Sequence, residues 1–413
     1  MTAPDSTTAT TDMQRQSHLS CSVFTSFEDL DITREQWDEL AEESGGDIYS
    51  SYDWCRTWWE FYGGGRELQI YLLRDGSGVV AIFPAFREVG WLGGLPLRMV
   101  RLLGCDSTTA TCGFVAAKEY RPQVLMQFAR TLRAQGGWDL IHLGPLASYG
   151  ELHEDAEGAL QEVMGEIASV ASSPAGSQTT YDLEDGFDGY LSDLSKHRRK
   201  KLREYDRRIR RNFHIEKRLL RTPHETAEAF ERFVELHEKL WQGRSKLGHF
   251  RDWPEAKCFH RSLVGKLSEK GRLAFFEMWA DGAPIASHYC MRFGKFGHGF
   301  LSARDDSARW RKWNVGELAF TASLMSEAED GVKIFERGRG HYSYKLRQGG
   351  RLGQMQQVLV QRRSLLVKLA MLTRRAAAWV LHTGYYRLWF KRVGPRCRLL
   401  RGPLWKAWIR SGP

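Results

Sequence analysis

The sequence predicts a mixed α/β fold of two similar modules followed by a basic helical tail. Two strand-turn-strand patterns lead to this prediction, one around Asp75-Gly76 and one around Asp281-Gly282. An Asp-Gly pair between alternating apolar runs is a strong β-hairpin signal. Each hairpin is followed by a helix pattern that ends at glycine and leads into a short strand. The repeated order indicates two modules, each with a mixed, mostly antiparallel sheet flanked by helices.

The helices of the two repeats share sequence features. The first is RPQVLMQFARTLRAQGG, before the strand WDLIHLGPL, and the second is VGELAFTASLMSEAEDG, before VKIFERGRG. Apolar residues at intervals of three and four, with a closing glycine, are typical of amphipathic helices. Between the repeats, FHIEKRLL predicts a strand. The following helix is expected to begin with a capping box formed by Thr222 and Glu225.

Composition and local pattern divide the chain into five expected segments. These are a disordered leader (1–20), an N-terminal module (21–170), a linker (171–180), a C-terminal module (181–350) and a basic aromatic tail (351–413). The leader is polar and lacks the apolar region of a secretory signal. The stretch ASSPAGSQTT consists of small residues, which favour a surface linker.

Residue counts exclude several classes of protein. Hydrophobic residues make up 42% of the 413 residues, which is typical of a folded chain. Seven cysteines without a C-x-x-C pair indicate reduced thiols and a cytoplasmic location. No H-E-x-x-H motif occurs among the thirteen histidines, so no metal site is expected. No apolar run approaches the ~20 residues of a membrane-spanning helix.

The net charge of +10 is distributed unevenly along the chain. Glu336 is the last acidic residue, and 18 of the 60 lysines and arginines follow it, so the preceding body carries a net charge of −8. Because the excess positive charge is confined to one segment, we do not expect the whole protein to bind nucleic acid.

A second basic segment, HRRKKLREYDRRIRR, begins at His197. Leu202, Ile209 and Phe213 fall on one side of a predicted helix, and basic residues fill the rest. Such a helix often has only a solvated cationic face. The alternative is that a few of its cations face an anionic ligand near the start of the second module.

The stretch RWRKWNVGELAF resembles a phosphate-binding turn. Asn314 and Gly316 stand where a basic segment passes into a helix, and free N–H groups at a helix start bind phosphate. Gly316 permits close approach of a ligand to the backbone, and Arg311 and Lys312 could neutralise phosphate charge. The alternative is an ordinary helix start with Asn314 as N-cap.

The third candidate stretch is IFERGRGHYSYK. A predicted strand ends at Glu336, and a loop containing glycines then presents Tyr344 and Lys345. A carboxylate at a strand end beside a loop can serve as general base for an amine or hydroxyl nucleophile. The alternative is a surface ion pair between Glu336 and the adjacent arginines. His237, His288 and Tyr289 are secondary candidates, for which a buried structural role is expected.

Together these motifs resemble the FemAB/CelD-like branch of the GNAT acyltransferase superfamily, with a BioF-type acetyltransferase domain. The resemblance rests on LSKHRRKKLRE, LHEKLW, ADGAPIASHY, NVGELAF and FERGRGHYSYK, while SSYDWCRTWWEFYGGG and GVVAIFPAF are similar to the divergent N-terminal module of such proteins. It implies two tandem GNAT-like modules and acyl-CoA as donor substrate. It further implies that Arg199, Arg203, Arg311, Asn314 and Gly316 bind the donor. The implied catalytic residues are Glu336, Tyr344 and Lys345, although the family usually has Asp at the position of Glu336.

The tail from Gln361 combines leucines, aromatic residues and cations. Leu365, Leu366, Leu369, Leu372 and Ala376 lie on one predicted helical face, and Trp379, Tyr385, Tyr386, Trp389, Trp405 and Trp408 follow among arginines. This pattern suits the surface of an anionic membrane. The alternative is a helix packed on the acidic body.

The resulting main hypothesis is a cytoplasmic N- or O-acyltransferase, peripheral at the inner membrane face. It would transfer an acetyl-type group from acyl-CoA to an amine or hydroxyl of a sugar, glycolipid or cell-envelope polysaccharide precursor. Two alternatives remain open. One is aminoacyl transfer from charged tRNA to an envelope precursor, and the other is a non-catalytic binding module recruited to a membrane.

Overall fold

The computed structural model describes residues 19–105, 111–149, 152–243, 248–253 and 255–394, with residues 404, 407 and 408. The predicted leader lies outside the described residues except for its last two positions. Trp405 and most of the chain after residue 394 also lie outside them.

The first repeat alternates strands and helices in the predicted order. Its elements are β1 (Ser20–Phe24), α1 (Arg34–Glu43), α2 (Tyr52–Tyr62), β2 (Glu67–Arg74), β3 (Val79–Gly90), β4 (Leu97–Leu102), β5 (Val115–Ala116), α3 (Arg121–Gln135), β6 (Leu140–Leu146), α4 (Leu152–Met164) and β7 (Ala168–Asp182). The Asp75-Gly76 turn joins β2 to β3 as predicted.

The second repeat has the same order of core elements and begins after two connecting helices, α5 (Gly186–Asp193) and α6 (Lys196–Arg210). Its elements are β8 (Ile215–Leu220), α7 (Pro223–Gln242), α8 (His249–Asp252), α9 (Ala256–Glu269), β9 (Leu273–Ala280), β10 (Ala283–Phe293), β11 (Phe296–Arg304), α10 (Val315–Glu329), β12 (Ile334–Arg339), α11 (Ser343–Arg347) and β13 (Arg351–Arg362). The predicted capping box at Thr222 and Glu225 begins α7. Beyond β13 lie α12 (Leu365–Val380) and a π-helical segment (Leu381–Val393).

The two repeats share one continuous sheet because they exchange their last strands. The strand order is β1-β2-β3-β4-β6-β13-β7-β12-β11-β10-β9-β8, with β5 paired to β3 outside this path. Strand β13 of the second repeat pairs with β6, as at Leu359 and His142. Strand β7 of the first repeat pairs with β12, as at Phe335 and Tyr181. The predicted mixed α/β fold of two modules is therefore confirmed, and the exchange joins the modules through backbone hydrogen bonds.

The expected linker and the start of the expected tail form strands instead of a surface loop and a helical tail. The predicted linker, residues 171–180, lies within β7, and residues 351–362 of the predicted tail form β13. Small polar residues have low intrinsic β propensity, but β13 pairs with β7 along this whole stretch, and β12 pairs with it from Gln178 onward. Pro174, which lacks an N–H, lies beside the irregular pairing of β7 with Met355 and Gln356.

Helices cover both faces of the sheet and join the modules. In the second module, Tyr289 and Met291 face a core that includes α7 and α9, whereas Cys290 faces α10. Helix α9 also packs against α2 of the first module, where the rings of Trp54 and Phe259 lie 5.6 Å apart, edge to face. Ion pairs between Lys266 and Glu60 and between Lys270 and Glu35 border this contact. One apolar core therefore extends across the module boundary.

Candidate active site

The strands that would frame a site in the second module separate after a short pairing. Parallel strands β11 and β12 pair only from Phe296 with Ile334 to His298 with Glu336. Strand β11 then continues to Arg304 and β12 to Arg339. Because the later residues of the two strands do not pair with each other, a wedge opens between them just after His298 and Glu336.

Glu336 lies at the closed end of this wedge. Its side chain is fully buried, and its Oε2 atom lies 3.4 Å from Nδ1 of His298, which is equally buried. Glu336 Oε1 accepts no hydrogen bond from the described residues, and His298 Nε2 has none either. Buried polar atoms almost always have partners, so two such atoms side by side suggest a functional role. The alternative of a surface ion pair with adjacent arginines is wrong for Glu336, because the carboxylate is buried.

The first module contributes polar groups to the same place. The ring of Tyr49 lies 5.2 Å from that of His298, edge to face. The Tyr149 hydroxyl donates a 2.6 Å hydrogen bond to Asp47, whose other carboxylate oxygen accepts one from the Tyr49 N–H. Burial raises the pKa of the Asp47 carboxyl, although His298 and the Tyr149 hydrogen bond act in the opposite direction. The site is therefore composite, with a carboxylate from each module.

The motifs did not identify Asp47, Tyr49, Tyr149 or His298. Asp47 begins a short 3-10 helix, Ile48–Ser50, where its side chain caps the turn. An Asp before a turn is common as a cap, and a single sequence contains no signal that pairs this turn with a strand about 250 residues later. His298 was detectable only through its register with Glu336 on parallel strands.

The predicted donor turn lies at the start of α10. Asn314 is exposed, and its backbone adopts the left-handed conformation, with φ 54° and ψ 34°. Its side chain does not cap the helix. Among the described residues, the backbone N–H groups of Val315 and Gly316 donate no hydrogen bond. A Cβ at Gly316 would lie 3.0 Å from Cδ of Arg304, so glycine lets this arginine pack over the helix start. The turn thus combines an exposed Asn314, a partly exposed Gly316 and a nearby guanidinium.

Two arginines of α6 contact this turn. The guanidinium of Arg208 lies 4.8 Å from the Trp313 ring and donates to the Lys312 carbonyl. Arg198 forms an ion pair with Glu317 in the first turn of α10. Arg311 and Lys312 are exposed beside them. The basic helix therefore borders the turn through two arginines that have protein partners there. That some of its cations face an anionic ligand stays a prediction.

The arginines that the resemblance selected on α6 lie elsewhere. Nη1 of Arg199 lies 2.7–3.0 Å from the carbonyl oxygens of Leu191, Ser192 and Leu194 at the end of α5 and shares its two hydrogens among them. These contacts give its guanidinium a structural partner. Arg203 is exposed on the solvent side of α6. In this structure Arg198 and Arg208, not Arg199 and Arg203, are the α6 arginines beside α10.

Lys345 and Tyr344 have different surroundings despite being neighbours. The buried Lys345 ammonium donates to the carbonyls of Arg337, Gly338 and Arg339, at 2.7, 2.9 and 3.2 Å. Burial lowers the pKa of Lys345 to about 8. Because all three N–H bonds have acceptors, the ammonium holds the last three residues of β12 in place. Tyr344 is 43% exposed, with the Arg337 guanidinium 5.4 Å from its ring.

The secondary candidates are buried in the second module. His237 contacts the Ser302 carbonyl through Nδ1 at 3.4 Å and His249 through Nε2 at 3.3 Å. Burial lowers the pKa of His237 and His288 to about 3, which keeps both rings neutral. The Tyr289 hydroxyl lies 3.4 Å from His260. No group of three or more metal-ligating side chains occurs in the parts of the chain that are described.

The wedge, the amide turn and the duplicated strand-helix order define an acyltransferase-type fold with two tandem modules. Residues 196–346 match the GNAT acetyltransferase domain family. The chain also has the fold of FemX, whose crystal structure aligns with a TM-score of 0.60 at 12% identity, covering 83% of this chain and 98% of FemX. The predicted resemblance is confirmed: residues 196–346 match the GNAT domain family, and the chain as a whole has a fold like that of FemX.

Two other solved structures are less similar. The C-terminal domain of a putative lysylphosphatidylglycerol synthetase from Agrobacterium fabrum has a TM-score of 0.46 at 13% identity and covers 84% of this chain and 97% of its own. A tandem GNAT protein from the clavulanic acid biosynthesis pathway has a TM-score of 0.43 at 14% identity and covers 84% and 99%. A search of curated protein sequences finds no significant match.

Proposed function

We propose that the second module transfers an acyl group from acyl-CoA to an amine or hydroxyl of a cell-envelope precursor such as a sugar or glycolipid. One observation carries this proposal. The turn at Asn314–Gly316, where Asn314 is exposed and Gly316 partly exposed, and the buried carboxylate Glu336 belong to the two segments that flank a single wedge. A donor that binds its phosphates at the turn could direct its thioester along the wedge toward Glu336.

Three features support donor binding at the turn. The positive end of a 15-residue helix and the N–H groups of Val315 and Gly316 favour a diphosphate. Arg304 and Arg311 add charges that can form strong hydrogen bonds to phosphate. On the side facing β12, the backbone of β11 from Gly299 to Arg304 pairs with no strand, so an extended donor arm could hydrogen-bond to that edge.

In the proposed reaction Glu336 removes a proton from the acceptor amine or hydroxyl as the nucleophile attacks the thioester carbonyl. The new C–N or C–O bond forms, the C–S bond breaks, and CoA leaves as a thiolate that then takes up a proton. His298 positions the carboxylate through Oε2, which leaves Oε1 as the proton acceptor. Since Glu336 is buried, the proton reaches it through a water molecule or after Tyr49 or Tyr149 moves aside.

Tyr344 and Lys345, which lie on α11 after β12, have different roles in this proposal. Tyr344, partly exposed on α11, is available to hydrogen-bond the leaving thiolate or the acceptor. Lys345 instead positions Glu336, because its ammonium fixes the three carbonyls that follow this residue. The envelope precursor as acceptor class rests on the resemblance to FemAB-like proteins.

Thermal unfolding with and without acyl-CoA tests donor binding. We expect the unfolding temperature of the wild type to rise by several degrees in excess acyl-CoA, since a ligand of the native state stabilises it. Gly316→Trp combined with Arg311→Ala should abolish the rise. Gly158→Trp on α4 is the matched control, because Gly158 is exposed in a helix with open space around it. Absence of a shift in the wild type would contradict an acyl-CoA donor.

A nucleic-acid-linked donor is the second candidate because of the α6 surface. Lys200, Arg203, Arg207 and Arg211 are exposed on a helix whose Arg208 contacts the donor turn. Such a surface could hold the backbone of a charged tRNA while its aminoacyl end enters the wedge. This donor predicts RNase-sensitive transfer and a steep loss of binding with salt. If neither donor binds and Glu336→Gln leaves function intact, the non-catalytic alternative is supported.

A further inference from the structure

Helix α12 buries only one of its faces. Val367, Ala370 and Met371 pack against Leu97, Met99 and Leu140 of the first module. The opposite face is apolar and open to solvent, with exposed fractions of 83% for Leu365, 73% for Leu366, 51% for Leu369, 66% for Leu372 and 68% for Trp379. Isolated exposed leucines are common, but five large apolar side chains on one helical face indicate an interaction surface.

A loop of the first module packs against the backbone of α12. Gly93 lies against the α12 backbone, since a Cβ on it would be 2.6–2.8 Å from backbone atoms of Thr373 and Arg374. Leu95 packs into the core beneath the helix, and Trp91, two residues before Gly93, is 66% exposed. We call Trp91 and the five exposed apolar residues of α12 the apolar ridge.

The charges around the apolar ridge are positive. Exposed cations on α12 and the π-helical segment are Lys368, Arg375, Arg387, Lys391 and Arg392, and no acidic residue occurs after Glu336. Two acidic residues of the first module lie beside the end of β13, just before α12, and each is ion-paired: Asp139 with Arg98, and Glu166 with Arg133. The surface is thus a leucine and tryptophan ridge with a cationic border.

We propose that the apolar ridge docks on an anionic lipid surface, inserting Trp91, Trp379 and the α12 leucines while the flanking cations approach the lipid headgroups. A convex helix with apolar residues on one side and cations beside them matches the interfacial region of a bilayer, where tryptophan is also favoured. No described helix is long and apolar enough to cross the membrane, so α12 would lie along its surface. This proposal is independent of the proposed transferase activity.

Vesicle co-sedimentation of the full chain tests the proposal. We expect binding to vesicles of phosphatidylcholine with phosphatidylglycerol, and little binding to phosphatidylcholine alone. The double variant Leu369→Glu/Leu372→Glu should lose at least about tenfold in partition coefficient because it places two anions in the ridge. Leu352→Glu is the matched control, since Leu352 is 47% exposed on β13 and outside the ridge. It should bind like the wild type.

A charge substitution, added salt and a measurement of self-association provide further tests. Lys368→Ala should weaken binding about fivefold, and added salt should weaken it in all proteins. Equal binding of the Leu369→Glu/Leu372→Glu variant and the wild type would overturn the proposal. A lipid-free dimer that this variant abolishes would also overturn it, by assigning the ridge to a second copy. Acyl-CoA stabilisation should persist in the variant, which separates failure of docking from failure of the proposed function.

Discussion

His298 and Glu336 lie directly opposite each other on parallel strands β11 and β12, at the last position where these strands pair. The corresponding pair in the first module is Arg101 with His142, at the last pairing of β4 with β6. There Arg101 bonds to Glu88 at 3.0 Å, and His142 contacts Gln357 at 3.0 Å. The two modules thus place different chemistry at one structural position. Among the described residues, Oε1 of Glu336 in the second module is a buried carboxylate oxygen without a hydrogen-bond partner.

This relationship predicts a kinetic effect of Glu336→Gln. The amide keeps the shape of the side chain but cannot accept a proton, so kcat for acyl transfer should fall by about 10²–10⁴. Acyl-CoA should still raise the unfolding temperature, because the donor turn is unchanged. The measurement is steady-state kinetics with the donor and acceptor that a substrate screen identifies.

Glu329→Gln is the control for this substitution. Glu329 is exposed at the end of α10, so its replacement should leave kcat within about twofold. Equal rates for Glu336→Gln and Glu329→Gln would exclude Glu336 as the base.

Tyr149→Phe tests the contribution of the first module to the site. The substitution removes the hydroxyl that donates to buried Asp47 and leaves that carboxylate oxygen without this donor. We expect the free energy of unfolding to fall by about 1–3 kcal/mol. Urea denaturation is the measurement, and Tyr344→Phe, on an exposed tyrosine, should change stability by less than about 0.5 kcal/mol.

A double-mutant cycle with Asp47→Asn isolates the interaction. If Tyr149 and Asp47 act as a pair, the destabilisation by Tyr149→Phe should be much smaller in the Asp47→Asn background. Additive effects would show that the two residues stabilise the protein independently.

Local patterns predicted most of the repeated elements because those elements depend on near neighbours. The Asp281-Gly282 turn lies in its hairpin, and Thr222 caps α7 through residues within four positions. Asn314 adopts the left-handed conformation at the start of α10 that its residue type tolerates.

Other features depend on partners far along the chain. Residues 171–180 form a strand because β13, about 180 residues later, pairs with them. Arg199 faces the end of α5, whereas its neighbour Arg198 faces α10. The few apolar positions of α6 indicate its buried side, but they do not specify which of two adjacent arginines meets which element. Asp47 reaches the site through the packing of one module on the other.

Lys345→Met separates a structural from a chemical role of this lysine. Because the ammonium donates to the carbonyls of the last three residues of β12, its loss should lower the free energy of unfolding by about 2–4 kcal/mol. Lys200→Met, on the exposed side of α6, is the matched control and should change stability little. A large fall in kcat with unchanged stability would instead identify Lys345 as a chemical participant.

The ion cluster of the first module predicts how stability depends on pH. Burial alone would raise the pKa of Glu88, but Arg101 and Arg66 outweigh it and lower the pKa to about 2, from an ordinary value of 4.5. Both arginines are also buried, at 3.0 and 2.9 Å from the carboxylate. Because the folded state holds the carboxylate ionised, this contribution is complete above pH 4.5 and is lost as the pH falls toward 2. The shift corresponds to about 3 kcal/mol.

Glu88→Gln should therefore destabilise the protein at neutral pH by about 3–5 kcal/mol, since it leaves Arg101 and Arg66 buried without their carboxylate. The difference in unfolding free energy between wild type and variant should shrink as the pH falls below 4.5, where protonation neutralises Glu88 in the unfolded wild type. Denaturant titrations between pH 7 and pH 3 measure this, with Glu39→Gln on the exposed side of α1 as control. A difference that stays constant over this range would mean that Glu88 stabilises the module by packing and not by charge.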